Sequence, residues 1–259
     1  MTSLARTRSV ALSVAWRSLH NAFTNPSFLL PSMLFPLFFF VAFAGGLSAV
    51  QNVPDFDYAA GYTSFQFGFV CMQAAAFGGV FTGFAIAADF ESGFARRLLL
   101  AAPNRGGIVI GYMLAAMVRA AFVLTVVFAA GLVSGMRVLG SLGDLAGLLA
   151  LALGVSATAT LWAAGIAMRL RSMQAGPAMQ MPVFIVIFLA PVYVPLNLVA
   201  GWVHEVARFN PATAFLETAR GFLAGEPTKI AVTAACLAAM FALVTTWARG
   251  GLRSAERAG

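Results

Sequence analysis

Residues 18–54 contain no Asp, Glu, Lys or Arg, and neither do 58–88, 145–168, 172–204 and 230–248. A further stretch, 106–136, is interrupted only by Arg119. A hydrocarbon core about 30 Å thick is crossed by roughly 20 apolar residues in helical form. The pattern therefore predicts six spans, at about 27–50, 62–88, 108–134, 144–168, 178–200 and 230–248. They occupy more than half of the 259 residues and leave no room for a soluble catalytic domain. Composition agrees: the chain is 61% hydrophobic and 10% charged, against about 45–50% apolar and 25% charged in soluble domains. Too few polar side chains exist to clothe a water-soluble globule, and disorder is excluded by the same numbers. The spans lack strict apolar/polar alternation, which argues against a β-barrel. The first apolar run starts too late and runs too long for a signal-peptide core, so it reads as a retained helix. The fold class is an all-α membrane protein with six transmembrane helices.

The basic residues sort unevenly about these spans. One side receives eleven: Arg6, Arg8, Arg17, Arg96, Arg97, Arg105, Arg169, Arg171, Arg249, Arg253 and Arg257. The other receives four: Arg137, Arg208, Arg220 and Lys229. The positive-inside rule then puts both termini in the cytoplasm. The net charge of +7 is mostly arginine on that face, matched to anionic lipid headgroups. The basic residues are scattered over short segments, so no nucleic-acid partner is expected.

Residues 4–24 precede the first span and are amphipathic. Leu12, Trp16, Leu19 and Phe23 share one helical face, and Arg6, Ser13, Arg17 and His20 another. This is the pattern of an interfacial helix lying in the membrane surface. Asn25-Pro26 ends it. Pro31 and Pro36 fall in the first span, and Pro182, Pro191 and Pro195 in the fifth, where they mark kinks. Four glycine pairs have the spacing that lets helices approach closely: Gly79/Gly83, Gly107/Gly111, Gly131/Gly135 and Gly143/Gly147. Segment 201–228 interleaves apolar residues with Arg208, Glu217 and Arg220, and is expected to dip into the outer leaflet as re-entrant helices.

Several chemistries are excluded. The single lysine, Lys229, sits between Thr228 and Ile230, so no phosphate-binding loop exists and the chain is not itself an ATPase. No carboxylate lies in the middle of a span, which argues against a proton-driven carrier. No histidine is at membrane depth and no H-E-x-x-H occurs, so neither intramembrane hydrolysis nor a metal site is expected. Cys71 and Cys236 fall inside spans and are read as buried apolar residues. No catalytic residue is assigned. Active transport would need a partner to supply the energy.

The cytoplasmic loop 89–105 is acidic at its start (Asp89, Glu91), turns at Gly93, continues through Arg96, Arg97, Leu98 and Leu99, stops at Pro103 and ends at Arg105, with Gly111 in the next span. Acid first and base later suits a short helix. Before the last span come Asn210-Pro211, Thr213, Glu217, Arg220 and Gly225. Together these resemble the coupling loop and outer segment of type 2 ABC exporter permeases, in particular the drug- and lipid-exporting branch. Phe94 stands where that family usually has threonine, and Tyr112 where it has lysine. The resemblance implies a multi-pass permease subunit of the plasma (inner) membrane. It implies two cytoplasmic ABC ATPase subunits as partners, together with a second copy or a sister permease. No cofactor would be bound by this chain, ATP and magnesium sitting on the ATPase. The cargo would be hydrophobic or amphipathic: a lipid, a glycolipid or a drug-like molecule. An ion-gradient carrier and a polysaccharide-exporting permease remain the alternatives.

Within that frame Asp89, Glu91, Gly93, Arg96, Arg97, Leu98, Pro103 and Arg105 are the coupling residues, the charges pairing with the ATPase or with lipid phosphates. Leu12, Trp16, Arg17 and Leu19 define the interfacial helix. Arg119 lies about 18 Å along a helix starting near Gly107, close to mid-bilayer, where it either recognises an anionic headgroup or bonds carbonyls or a carboxylate. Phe65 and Phe69 are candidates for an apolar pathway. Asn210, Pro211, Glu217 and Arg220 form the outer gate or hairpin, with Glu217 and Arg220 spaced to pair on one helical face.

Overall fold

The computed structural model describes residues 3–102 and 104–257; Pro103 lies outside them. The described residues form ten α-helices: α1 (Ser3–Thr24), α2 (Pro26–Phe40), α3 (Tyr62–Glu91), α4 (Phe94–Ala101), α5 (Gly106–Val133), α6 (Leu142–Leu170), α7 (Gly176–Phe188), α8 (Gly201–Phe209), α9 (Pro211–Ala224) and α10 (Ile230–Arg257). Four of them, α3, α5, α6 and α10, are long and apolar enough to cross a bilayer, and the bent pair α1–α2 raises the number to five. The turn at Asn25, whose side chain accepts from the Ser27 amide, sets a 65° bend between α1 and α2. Past Pro31 and Pro36, α2 runs on as a π-helical turn over Val41–Gly45.

The fifth expected span, 178–200, is not a continuous helix. Only α7 forms, 13 residues, which is about 20 Å and short of the bilayer core. Pro191 and Pro195 lack the N–H that would continue the ladder, and the chain crosses to α8 in irregular form.

Helix α3 is the axis of the molecule: 83% of its most apolar window is buried, against 6% for α10. It packs most extensively on α6, then on α5 and α2. Without a hydrophobic force between helices in lipid, close backbone approach must hold such pairs. Gly79 and Gly83 provide it. A methyl group on Gly79 would stand 2.7 Å from the Ala159 Cβ and the Ser156 carbonyl, and one on Gly83 would overlap the Ala163 Cβ. Gly107 and Gly111 do the same for α1 on α5, meeting the carbonyls of Thr7 and Ala11 at 3.0 and 2.7 Å. The other two pairs do not act as pairs: Gly131 faces the Phe67 ring and Gly147 the Phe222 ring, while Gly135 is a left-handed turn and Gly143 is open.

Two apolar clusters result. One joins α2, α3, α5, α6, α7 and α9, with Phe39, Phe69, Phe184 and Phe188 in edge and stacked contact. The other joins α1, α3, α4, α5, α6 and α10 around Val14, Ile86, Leu99, Tyr112 and Met168.

Candidate functional site

The loop between α3 and α5 is built around one carboxylate. Asp89 ends the long run of α3 and is held by both guanidinium nitrogens of Arg17 at 2.9 Å. The Tyr112 hydroxyl of α5 donates to the same carboxylate at 2.6 Å. The Phe94 ring, first residue of α4, lies under the Arg17 guanidinium at 3.4 Å. Thus α1, α3, α4 and α5 meet at a single ion pair. Partial burial pulls the Arg17 pKa down, and the bond and charge of Asp89 outweigh it, so the net shift is upward. A bidentate, partly buried pair of this kind is among the stronger polar contacts.

Around it the loop is pinned at every turn. Gly93 adopts φ +73°, a left-handed conformation that suits glycine and swings the chain into α4. Glu91 accepts from the Ser172 hydroxyl at 2.8 Å and the Met173 amide at 2.7 Å, which fixes the loop to the α6–α7 turn. Asn104 donates to Thr7 of α1 at 2.6 Å and accepts from the first amide of α5. Arg105 donates to the Leu99 carbonyl at 3.1 Å and pairs with Glu256 of α10 at 3.6 Å.

On α4, Ala95 and Leu99 turn inward and Leu98 packs against the same cluster, while Arg96, Arg97 and Leu100 are exposed. The charges of the loop therefore divide. Asp89 and Glu91 are used inside the chain; Arg96 and Arg97 face outward. On α1, Ala11, Val14 and Ala15 are buried against the protein, whereas Leu12 and Trp16 stand exposed, with Leu19 half-buried.

At the other end of the molecule Arg220 of α9 is fully buried and reaches three carbonyls: Phe65 at 3.2 Å, Pro191 at 2.9 Å and Val192 at 3.0 Å. Its guanidinium lies 3.4 Å over the Phe65 ring. These carbonyls include those freed where the chain breaks after α7. The Gln66 amide joins Val192 at 3.2 Å and the Tyr62 hydroxyl at 2.7 Å, and Tyr58 donates to the Arg220 carbonyl at 2.8 Å.

The expected pairing of Glu217 with Arg220 is not formed. Glu217 takes Lys229 instead, at 2.6 Å. Arg220 lies on the buried face of α9, and the left-handed Lys229 turn brings the lysine to the exposed one. Asn210 caps α9 by accepting from Ala212 at 2.9 Å, and donates to the Val186 carbonyl of α7 at 2.6 Å, with Pro211 opening the helix.

Arg119 is buried between α5 and α3, donating to the Gly78 carbonyl and the Thr82 hydroxyl. Phe65 is buried under the Arg220 guanidinium, and Phe69 is buried in the apolar cluster of α2, α3 and α7. Sequence reasoning did not single out Ser172, Met173 or Glu256 as anchors of the loop. It also missed the Trp162–Trp247 stack, which is clasped by Arg169 lying 3.7 Å over Trp247. No cluster of metal-ligating side chains occurs among the described residues.

The family described as ABC-2 type transporter matches residues 10–223. That match spans α1 through nearly the end of α9, and the chain belongs to this family of membrane-embedded ABC transporter components. No curated protein and no solved structure matches it.

Proposed function

We propose that the protein is the membrane-spanning permease of an ATP-driven exporter, moving a hydrophobic or amphipathic molecule out of the cytoplasm or inner leaflet. Two permease copies, or this chain and a sister, would bind two cytoplasmic ABC ATPase subunits, which hold the ATP and magnesium. The N- and C-termini lie on the cytoplasmic side, with α1 in the membrane interface.

The observation that supports this reading most directly is the Arg17–Asp89–Tyr112 junction beneath an α4 whose outer face offers Arg96, Arg97 and Leu100. A push on α4 is delivered to α1, α3 and α5 together, because all three are joined at the same carboxylate. A rigid-body switch needs such a junction to move packed helices as a unit. Asp89 thus positions the loop, and the exposed arginines of α4 meet the ATPase.

Purification of the tagged protein from its native membrane in mild detergent tests the reading. A stoichiometric P-loop ATPase is the expected companion, with ATP hydrolysis that falls on Arg96→Glu/Arg97→Glu. Transport that persists without ATP would overturn it.

A further inference from the structure

Beneath α9, between α7 and α10, the molecule holds a half-open cavity of about 260 Å³ floored by α3 and α6. Its wall is almost wholly hydrocarbon. The two polar side chains in it are already engaged: Thr158 donates to the Gly154 carbonyl at 2.9 Å, and the Trp162 indole N–H donates to the Met179 carbonyl at 3.1 Å. A water needs two to four polar partners, and an apolar cavity of about 150 Å³ stays dry and takes benzene. This one is larger and offers water nothing.

The gap is also held open. Trp162 struts α7 at Met179, and Asn210 struts it at Val186 by a 2.6 Å bond, so α7 is fixed at both ends of the cavity. Ala76 and Ala159, with only a methyl group each, deepen the floor. Helices α7 and α10 wall the space without packing extensively on each other. Interiors close-pack wherever they can collapse, and here side-chain bonds prevent collapse.

We propose that this cavity seats one hydrocarbon chain, the tail of a membrane amphipath. The site rests on the membrane-spanning architecture and, where the tail belongs to the cargo, on the exporter reading above. Its chemistry is the same for a bilayer phospholipid and for an exported amphipath: an alkyl chain with no polar group along the bound segment.

The stacked Trp162–Trp247 pair sits at one end of the cavity and reports on it. The full chain, with Trp16→Phe and Trp202→Phe so that this pair is the only emitter, is reconstituted in phosphatidylcholine vesicles whose acyl chains carry bromine at mid-chain. The pair is expected to lose emission relative to unbrominated vesicles, because a chain seated in the cavity brings bromine against Trp162. Val244→Phe on the peripheral α10, and Val183→Phe on α7 as a second variant, fill the space and restore most of the emission. Quenching that is absent, or that is unchanged in filled variants with a normal melting temperature, overturns the site.

In the ATPase-bound complex, quenching relieved by ATP marks a transported tail, and quenching that persists marks a resident lipid; either is a seated chain. Failure of the exporter reading is scored separately, by the missing ATPase, and leaves the vesicle experiment intact.

Discussion

Asp89 illustrates how much rests on single side chains in a chain with only nine acidic residues. Its carboxylate has two side-chain partners, Arg17 and Tyr112, which lie far from it in sequence. The Tyr112 hydroxyl adds a bond without a second charge. Phe94 gives Arg17 a ring to lie on. Charge-assisted bonds of this kind contribute about 1.5–3 kcal/mol, so Asp89→Asn and Arg17→Gln should each lower the melting temperature. The double variant should be no worse than the weaker single, with a coupling of about 1–3 kcal/mol in a double-mutant cycle. Additive losses would show that the pair is incidental. Arg220 should be more sensitive still. Arg220→Met leaves the Pro191 carbonyl unpaired in a buried site, at about 1–3 kcal/mol for the orphaned group, while Val192 keeps its bond from Gln66. Glu217→Gln, which breaks only the part-exposed Lys229 pair, should cost about 0–1 kcal/mol. Thermal unfolding in detergent separates the two. The spacing of Glu217 and Arg220 misled because a three-residue interval places side chains on one face without saying whether that face is buried, and the decisive lysine lies past the Gly225 turn.

At the scale of elements, long apolar runs made α3, α5 and α6 legible within a few residues, since helical length in a bilayer is dictated by thickness; α10 begins where expected but runs past 248 to Arg257. The break at Asn25 was legible for another reason: a capping side chain before a proline is a local property of the sequence. The fifth span was not. Its apolar composition continues through 200, but Pro191, Pro195 and an arginine from another helix keep the backbone off the ladder after α7, and only the fold brings Arg220 to those carbonyls. Glycine spacing was ambiguous in the same way. Four pairs look alike in sequence, and contact separates them: Gly79/Gly83 and Gly107/Gly111 meet backbone, while Gly143 meets only the Ser141 hydroxyl at 3.5 Å. Gly83→Ala should therefore push α3 off α6 and cost about 1–3 kcal/mol by overpacking. Gly143→Ala, in an open helical position, should be neutral or stabilising by up to about 1 kcal/mol. Melting temperatures of the two variants in one detergent make the comparison; equal effects would mean that α3 and α6 are not held by close approach.

For the whole molecule, the arrangement of ties determines which motions are available. One end gathers α1, α3, α4 and α5 at Asp89, adds the α6–α7 turn through Glu91, and brings in α10 through Arg105–Glu256. The other end ties α3, α9 and the broken end of α7 through Arg220. Between them the central α3 is continuous, so displacement at the loop is transmitted along a packed helix rather than dissipated in a linker. The face of α4 proposed to meet the ATPase is the part least involved in these ties: Arg96, Arg97 and Leu100 are exposed. Loss of stability and loss of coupling should consequently come apart. Arg96→Glu/Arg97→Glu should leave the melting temperature of the isolated permease within about 0.5 kcal/mol of wild type while abolishing recovery of the ATPase on affinity purification. Asp89→Asn should do the reverse in degree, lowering permease stability while still recovering ATPase, with ATP hydrolysis no longer responsive to substrate. If the arginine reversal instead unfolds the permease, α4 belongs to the core and the contact with the ATPase must lie elsewhere.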